Sequence, residues 1–123
     1  MDILKLSGLI FLGGGLGSVL RFLLSRIQFQ ILPSNFPIAT VLANILACTL
    51  LGVIVYTSKS KIDDSIWLKY FLIVGVCGGF STFSAFGFET VSLLKSGHLI
   101  LAALNVIVSL GLGFSILWVF TKV

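Results

Sequence analysis

Hydroxyl groups and phenyl rings are concentrated in one short stretch of the chain, residues 78–86, which reads Gly-Gly-Phe-Ser-Thr-Phe-Ser-Ala-Phe. Two adjacent glycines weaken a helix, and three hydroxyl side chains can bond to the backbone groups that an interrupted helix leaves free. The stretch lies inside a long apolar segment, where a broken backbone persists only if protein buries it or it lines a wet cavity. The pattern therefore predicts a helix break near the bilayer midplane, a common way to build an ion site.

Amide and hydroxyl side chains occur at similar depth in two other apolar segments. Asn44 has Thr40 one turn before it, and Asn105 shares a helix face with Ser109 four residues on. These groups donate hydrogen bonds and carry no negative charge, so together they suit an anion better than a cation. Each group also has an ordinary alternative, a hydrogen bond between packed helices, and the spacing leaves both interpretations open.

Aromatic and basic residues near these groups also have two interpretations. Phe80, Phe83 and Phe86 recur at a spacing of three, as in a core or lipid-facing stripe. A phenyl ring has a positive edge, however, so rings turned edge-on could also stabilise a small anion. Arg21 ends the first apolar segment, where it either anchors the helix at the interface or draws anions into a vestibule.

The composition places the whole chain in a membrane. Of its 123 residues, 58% are hydrophobic and 10% are charged, and the mean hydropathy is +1.19. The pattern predicts an all-α integral membrane protein with a single four-helix transmembrane domain over residues 1–123, because four spans of about 20 residues use most of the length. The short loops make consecutive helices antiparallel neighbours. The predicted helices cover about residues 4–25, 37–57, 67–94 and 98–121.

Basic residues are divided almost evenly between the two ends of these helices. Five lie on the side that holds both termini and three lie on the other side. Such a weak bias permits insertion in either orientation, and coexisting orientations would permit an antiparallel dimer. The five are Lys5, Lys59, Lys61, Lys69 and Lys122, and the three are Arg21, Arg26 and Lys95.

The sequence of the predicted spans contains none of the side-chain sets that are typical of enzymes. No acidic residue lies deep in a predicted span, and Glu89 falls toward the end of the third. The lone His98 opens the last span, where an interfacial role is the simpler interpretation. Cys48 and Cys77 lie in apolar runs without the spacing of a metal site or a disulfide framework. We therefore predict that the chain is not an enzyme.

In length, four-helix layout and order of motifs, the whole chain resembles the CrcB/Fluc family of fluoride channels. The resemblance rests on the glycine-rich first segment ending at Arg21, on residues 40–44, and on residues 78–86 followed by Glu89. It implies a fluoride-selective passive channel that exports cytoplasmic fluoride and lowers its toxicity. It also implies an antiparallel (dual-topology) homodimer in the lipid bilayer of the bacterial inner membrane, with a broken third helix and two fluoride pathways.

The resemblance also assigns roles to individual residues. Phe83 and Phe86 would turn their ring edges toward fluoride. A structural sodium ion is expected on the two-fold axis, held by the backbone carbonyls of Gly78 and Ser81 from each subunit. The other residues expected along the fluoride pathway are Asn44, Ser84, Ser109 and Asn105, with Arg21 in the vestibule.

Three positions depart from the residues usual in that family. Ser81 stands where Thr is usual, Ala85 where Thr or Ser is common, and Asn105 where Tyr is often found. The missing hydroxyl at Ala85 keeps open a heteromeric channel in which this chain works with a paralogous subunit. A small dual-topology exporter and a membrane scaffold protein are also compatible with so short a four-helix chain. The exporter is disfavoured because residues 3–20 contain no carboxylate, and a scaffold would not require donors on three helices.

Overall fold

A computed structural model describes residues 2–122, which form four long helical spans joined by short connections. Each span is long and apolar enough to cross a membrane. The third span changes its helical type along its length, beginning as a π-helix and continuing as α-helix. The elements are α1 (Ile3–Ile31), α2 (Ile38–Ser58) with a 3₁₀ turn (Lys59–Lys61), a π-helical segment (Trp67–Cys77), α3 (Gly78–Phe80), α4 (Phe83–Lys95) and α5 (Leu99–Thr121).

Helix α1 continues to Ile31, so its predicted end near residue 25 was wrong. Arg26 marks a change in polarity, but a charged residue does not break a helix, and neither glycine nor proline occurs between Gly17 and Pro33. The Leu32 N–H still donates to the carbonyl of Gln28 at 2.8 Å, which closes the last turn. The helix therefore reaches beyond the apolar stretch that hydropathy detects.

Glycines bring α1 into direct backbone contact with the third span. A Cβ atom built on Gly75 would lie 2.9 Å from the Cα of Gly13, and one built on Gly17 would lie 2.6 Å from the backbone N of Phe80. Only residues without a Cβ allow such an approach. The glycines thus pack against each other as two pairs, Gly13 with Gly17 on α1 and Gly75 with Gly79 on the third span, each pair spaced by four residues.

The third span leaves helical geometry at Ser81 and Thr82, whose backbones are extended (φ −75°, ψ 153° and φ −151°, ψ 121°). The preceding Gly78 is helical, at φ −65° and ψ −37°. The glycine pair therefore does not itself interrupt the helix. Gly79 instead packs closely on α1, since a Cβ there would lie 2.9 Å from the Cα of Gly14.

Helix α2 holds more buried residues than any other helix of the described chain. Small residues such as Ala43 and Ala47 let its neighbours approach. Gly52 faces the ring of Phe120 on α5, and Gly113 of α5 faces the Sγ of Cys48. This packing holds α5 beside the part of α2 that faces the extended residues.

Candidate functional site

The side chain of Asn44 holds the interruption in the third span. Its Nδ2 donates to the Thr82 carbonyl at 3.2 Å, and its Oδ1 accepts from the Thr82 N–H at 2.7 Å. One carboxamide therefore replaces both hydrogen bonds that Thr82 loses on leaving the helix. In hydrocarbon no water can do this, and an unpaired backbone group costs several kcal/mol. Of the two interpretations left open, the structure contains the bond between helices.

Hydroxyl groups complete the hydrogen bonds around the two extended residues. The Thr82 Oγ1 accepts from the Ala85 N–H at 3.1 Å and so caps the start of α4. The Ser81 Oγ donates to the Cys77 carbonyl at 2.9 Å. Ser84 is exposed and lies 3.2 Å from the Thr82 Oγ1, oxygen to oxygen. These three hydroxyls thus act first as partners for the local backbone and for one another.

A groove of about 220 Å³ opens beside the extended residues, between α2, α4 and α5. It brings together several of the residues predicted to line a pathway, whereas Ser84, Asn105 and Arg21 are not part of its wall. The groove is lined by Asn44, Cys48, Ser81, Thr82, Phe83, Phe86 and Ser109, with further apolar residues of α5.

The two phenyl rings differ sharply in burial. Phe83 is 81% exposed, whereas Phe86 is 9% exposed. Their ring centroids are 5.8 Å apart and the ring planes are tilted by 44°. One ring therefore belongs to the core and the other projects from the bundle.

Asn105 is fully buried behind the groove and does not line it. Its Nδ2 donates to the Thr90 Oγ1 at 2.8 Å, and its Oδ1 accepts from the Ser109 Oγ at 3.3 Å. Thr90, which no sequence pattern singled out, thus links α4 to α5. Of the predicted pair on α5, Ser109 lines the groove, and Asn105 accepts a hydrogen bond from Ser109 behind it.

Arg21 lies against the last turn before the extended residues. Its Nε donates to the Gly79 carbonyl at 3.5 Å, and the Ser18 Oγ donates to the same oxygen at 3.4 Å. These contacts satisfy a carbonyl that the end of α3 leaves without a helical donor. Arg21 therefore contacts the third span directly while its side chain stays half-buried.

A second cavity, of about 480 Å³, lies toward the α1–α2 connection and contains the carboxylate of Glu89. The Glu89 Oε1 accepts from the Thr40 Oγ1 at 2.8 Å, and the buried Oε2 has no hydrogen-bond partner within residues 2–122. Gln28 closes this end, because its amide accepts from the Ala39 N–H at 2.6 Å and donates to the Phe36 carbonyl at 3.1 Å. The sequence did not indicate this pairing of Glu89 with Thr40, since nothing in it shows which helix faces meet.

Four apolar spans and a polar interruption among packed helices define the class, a multi-pass membrane protein. A model of the family described as CrcB-like protein, Camphor Resistance (CrcB), matches residues 8–120. The chain belongs to this family, which confirms the identification made from its motifs.

Several curated proteins named fluoride-specific ion channel FluC are similar to this chain over most of its length. The protein from Flavobacterium psychrophilum is 42% identical over 109 residues, covering 89% of this chain and 88% of its own. The one from Phocaeicola vulgatus is 51% identical over 89 residues, covering 72% and 73%. The one from Coxiella burnetii is 37% identical over 111 residues, covering 89% and 90%. Their name is that of an ion channel, which agrees with the prediction that the chain is not an enzyme.

Proposed function

We propose that this chain forms a fluoride-selective passive channel that exports fluoride from the cytoplasm. One observation carries the proposal: a groove in the bundle combines neutral hydrogen-bond donors with two phenyl rings and has no charged group among the described residues of its wall. Asn44, Ser109, Phe83 and Phe86 come from three separate helices to form it. The name shared by the relatives, fluoride-specific ion channel, supports the same function.

The groove could replace much of the water shell of a small anion without holding the ion too tightly. The Asn44 Nδ2 has two N–H groups and uses one for Thr82, so the second is free to donate to an ion. The Ser109 hydroxyl and the positive edges of Phe83 and Phe86 add further favourable contacts. Because no fixed cation lies among them, an anion can also leave, as conduction requires.

The direction of transport follows from acid–base chemistry and the membrane potential. In acidic surroundings hydrogen fluoride enters the cell as a neutral molecule, and it ionises in the less acidic cytoplasm. In a bacterial inner membrane, the negative interior potential drives the trapped anion outward by about 2.3 kcal/mol per charge per 100 mV. A passive pathway therefore suffices to lower fluoride toxicity.

The assembly we propose is an antiparallel homodimer with two fluoride pathways. Two observations support it: Phe83 projects 81% exposed from the groove, which a second subunit would enclose, and basic residues divide almost evenly between the two membrane faces. Many large apolar side chains point outward on all four spans, so a bilayer and a second copy can share this surface.

A structural sodium ion between the subunits fits the carbonyls at the interruption. Since the Thr82 N–H turns to Asn44, the Gly78 carbonyl loses the donor that a continuous helix would supply four residues on. Gly78 is exposed, whereas the neighbouring Gly79 carbonyl is already bonded to Ser18 and Arg21. Unwound backbone carbonyls are typical sodium ligands, so Gly78 and Ser81 would hold the ion. When bound, it would add rigidity to the extended residues.

A growth assay tests the proposed function in cells. The chain is expressed in a bacterial strain that lacks its own fluoride exporter, and growth is followed at increasing fluoride concentration. We expect the parent chain to restore growth and the combined variant Phe83→Ile, Phe86→Ile to fail at equal membrane abundance. Equal protection by both chains would contradict the role of the groove. No protection by a well-inserted parent chain would favour a heteromeric channel or a scaffold protein.

A further inference from the structure

The hydroxyl of Ser109 does not use the hydrogen-bond partner that is commonest among the serine and threonine side chains of residues 2–122. Seven other serine or threonine side chains donate to the backbone carbonyl four residues before them, at 2.6 to 3.2 Å. This is the usual local partner of a hydroxyl inside an apolar helix. Ser109 instead donates to the side-chain Oδ1 of Asn105, at 3.3 Å. The seven are Ser25, Thr49, Thr57, Ser81, Thr90, Ser96 and Thr121.

The orientation of the Asn105 amide follows from its neighbours. The Thr90 hydroxyl donates its hydrogen to the Phe86 carbonyl at 2.7 Å, so its oxygen can only accept from Asn105. The NH₂ end of Asn105 must therefore face Thr90, and its Oδ1 must face Ser109. A fully buried side chain with two such neighbours has no room to turn. A chain of hydrogen bonds thus runs from Ser109 through Asn105 and Thr90 to Phe86.

This chain of bonds ends at the groove. Ser109 and Phe86 both line the groove, whereas Asn105 does not. The bond from Ser109 to Asn105 is long at 3.3 Å, because hydrogen bonds from a hydroxyl to an oxygen usually measure about 2.5–3.0 Å. A hydrogen bond to an anion is roughly twice as strong as one to a neutral acceptor. An anion in the groove would therefore replace the Asn105 Oδ1 as the acceptor of the Ser109 hydrogen bond at little cost.

We propose that Asn105 is a positioning residue that keeps the Ser109 hydroxyl in a weak bond, ready to donate to an anion in the groove. The inference rests on the function proposed above and assigns Asn105 no contact with the ion. Without the amide, the Ser109 hydroxyl would turn to the backbone carbonyl of residue 105. This carbonyl lies four residues earlier in the helix and is the kind of stronger partner that the other seven hydroxyls use.

Asn105→Leu tests this role, because leucine has the same branching and the same number of heavy atoms as asparagine and leaves no buried donor unpaired. The Thr90 hydroxyl still donates to the Phe86 carbonyl, and the Ser109 hydroxyl can donate to the carbonyl of residue 105 in its own helix. We expect fluoride flux to fall about three- to tenfold, the effect of one neutral hydrogen bond. Thr49→Val, which removes a hydroxyl remote from this chain of bonds, serves as the matched control and should leave flux unchanged.

A double-mutant cycle separates positioning from packing. Fluoride flux is measured in liposomes for the parent, Asn105→Leu, Ser109→Ala and the combination, and folding is checked by size-exclusion chromatography. If Asn105 acts through Ser109, the combined variant matches Ser109→Ala alone. The inference would be overturned if Asn105→Leu lowered fluoride flux by the same factor with and without the Ser109 hydroxyl. Parental flux in either single variant would also overturn it.

Two further outcomes are distinguishable. If Asn105→Leu does not fold, Thr90→Val is used in its place, because this variant removes the hydroxyl that accepts from the Asn105 amide. The effect of Thr90→Val on flux must then also vanish in the Ser109→Ala background. An additive Thr90→Val would overturn the inference. A parent chain that carries no fluoride would overturn the proposed function and the inference with it, whereas an additive cycle overturns the inference alone.

Discussion

The pairing of Asn44 with Thr82 makes a quantitative prediction about stability. Asn44→Leu keeps the branching and the number of heavy atoms of the side chain but removes the partners of both backbone groups of Thr82. A buried polar group left unpaired costs about 1–3 kcal/mol, so losing both partners should lower the free energy of unfolding by about 2–6 kcal/mol. Asn44→Asp should be no milder, because an ionised carboxylate keeps an acceptor for the Thr82 N–H but brings a buried negative charge against the Thr82 carbonyl oxygen.

The free energy of unfolding can be measured by titrating the chain in bicelles with a denaturing detergent. Asn35→Leu is the matched control, because this exposed amide makes a long 3.5 Å contact to His98. It should stay within about 0.5 kcal/mol of the parent, as surface substitutions usually do. A loss of less than about 1 kcal/mol for Asn44→Leu would refute the claim that this amide holds the interruption.

Two other substitutions test the packing around the site by the same titration. Gly79→Ala places a Cβ 2.9 Å from the Cα of Gly14 and should cost about 1–3 kcal/mol, as overpacking does. Gly8→Ala, with no described atom within 4 Å of its new Cβ, should be neutral or stabilising, and equal losses for the two would contradict the close approach. Thr40→Val leaves the Glu89 carboxylate without its donor and should cost about 1–3 kcal/mol. Thr40→Ser should restore most of this stability, and a failure to do so would count against the hydrogen bond.

Much of the architecture was predictable because hydropathy and membrane thickness leave few arrangements open. Continuous apolar runs located all four spans, and hydroxyls beside a glycine pair indicated the region where Ser81 and Thr82 are extended. The end of α1 was not predictable in this way, because hydropathy reports where the bilayer ends and a helix can continue into water. The prediction that Gly79 weakens the helix was wrong for a related reason. The absence of a side chain can either weaken a helix or allow close packing, and the sequence does not distinguish the two.

The site itself could be predicted only as a set of residue types. The depth of Asn44, Asn105 and Ser109 in their helices follows from counting residues, but the face each presents depends on how the helices rotate. The sequence therefore left open whether Asn105 meets an ion or another helix, and the structure places its amide against Thr90. The partner of the Glu89 carboxylate lies 49 positions earlier in the chain, beyond the reach of any local pattern.

Fluoride efflux from liposomes that contain only this purified chain is the most direct test of the proposed channel. We predict rapid efflux of fluoride, no efflux from matched chloride-loaded vesicles, and loss of the fluoride signal in the combined variant Phe83→Ile, Phe86→Ile. Equal efflux of fluoride and chloride would contradict the claim that the groove is selective. The absence of fluoride efflux from a well-folded chain would contradict the claim that one chain type forms the pathway.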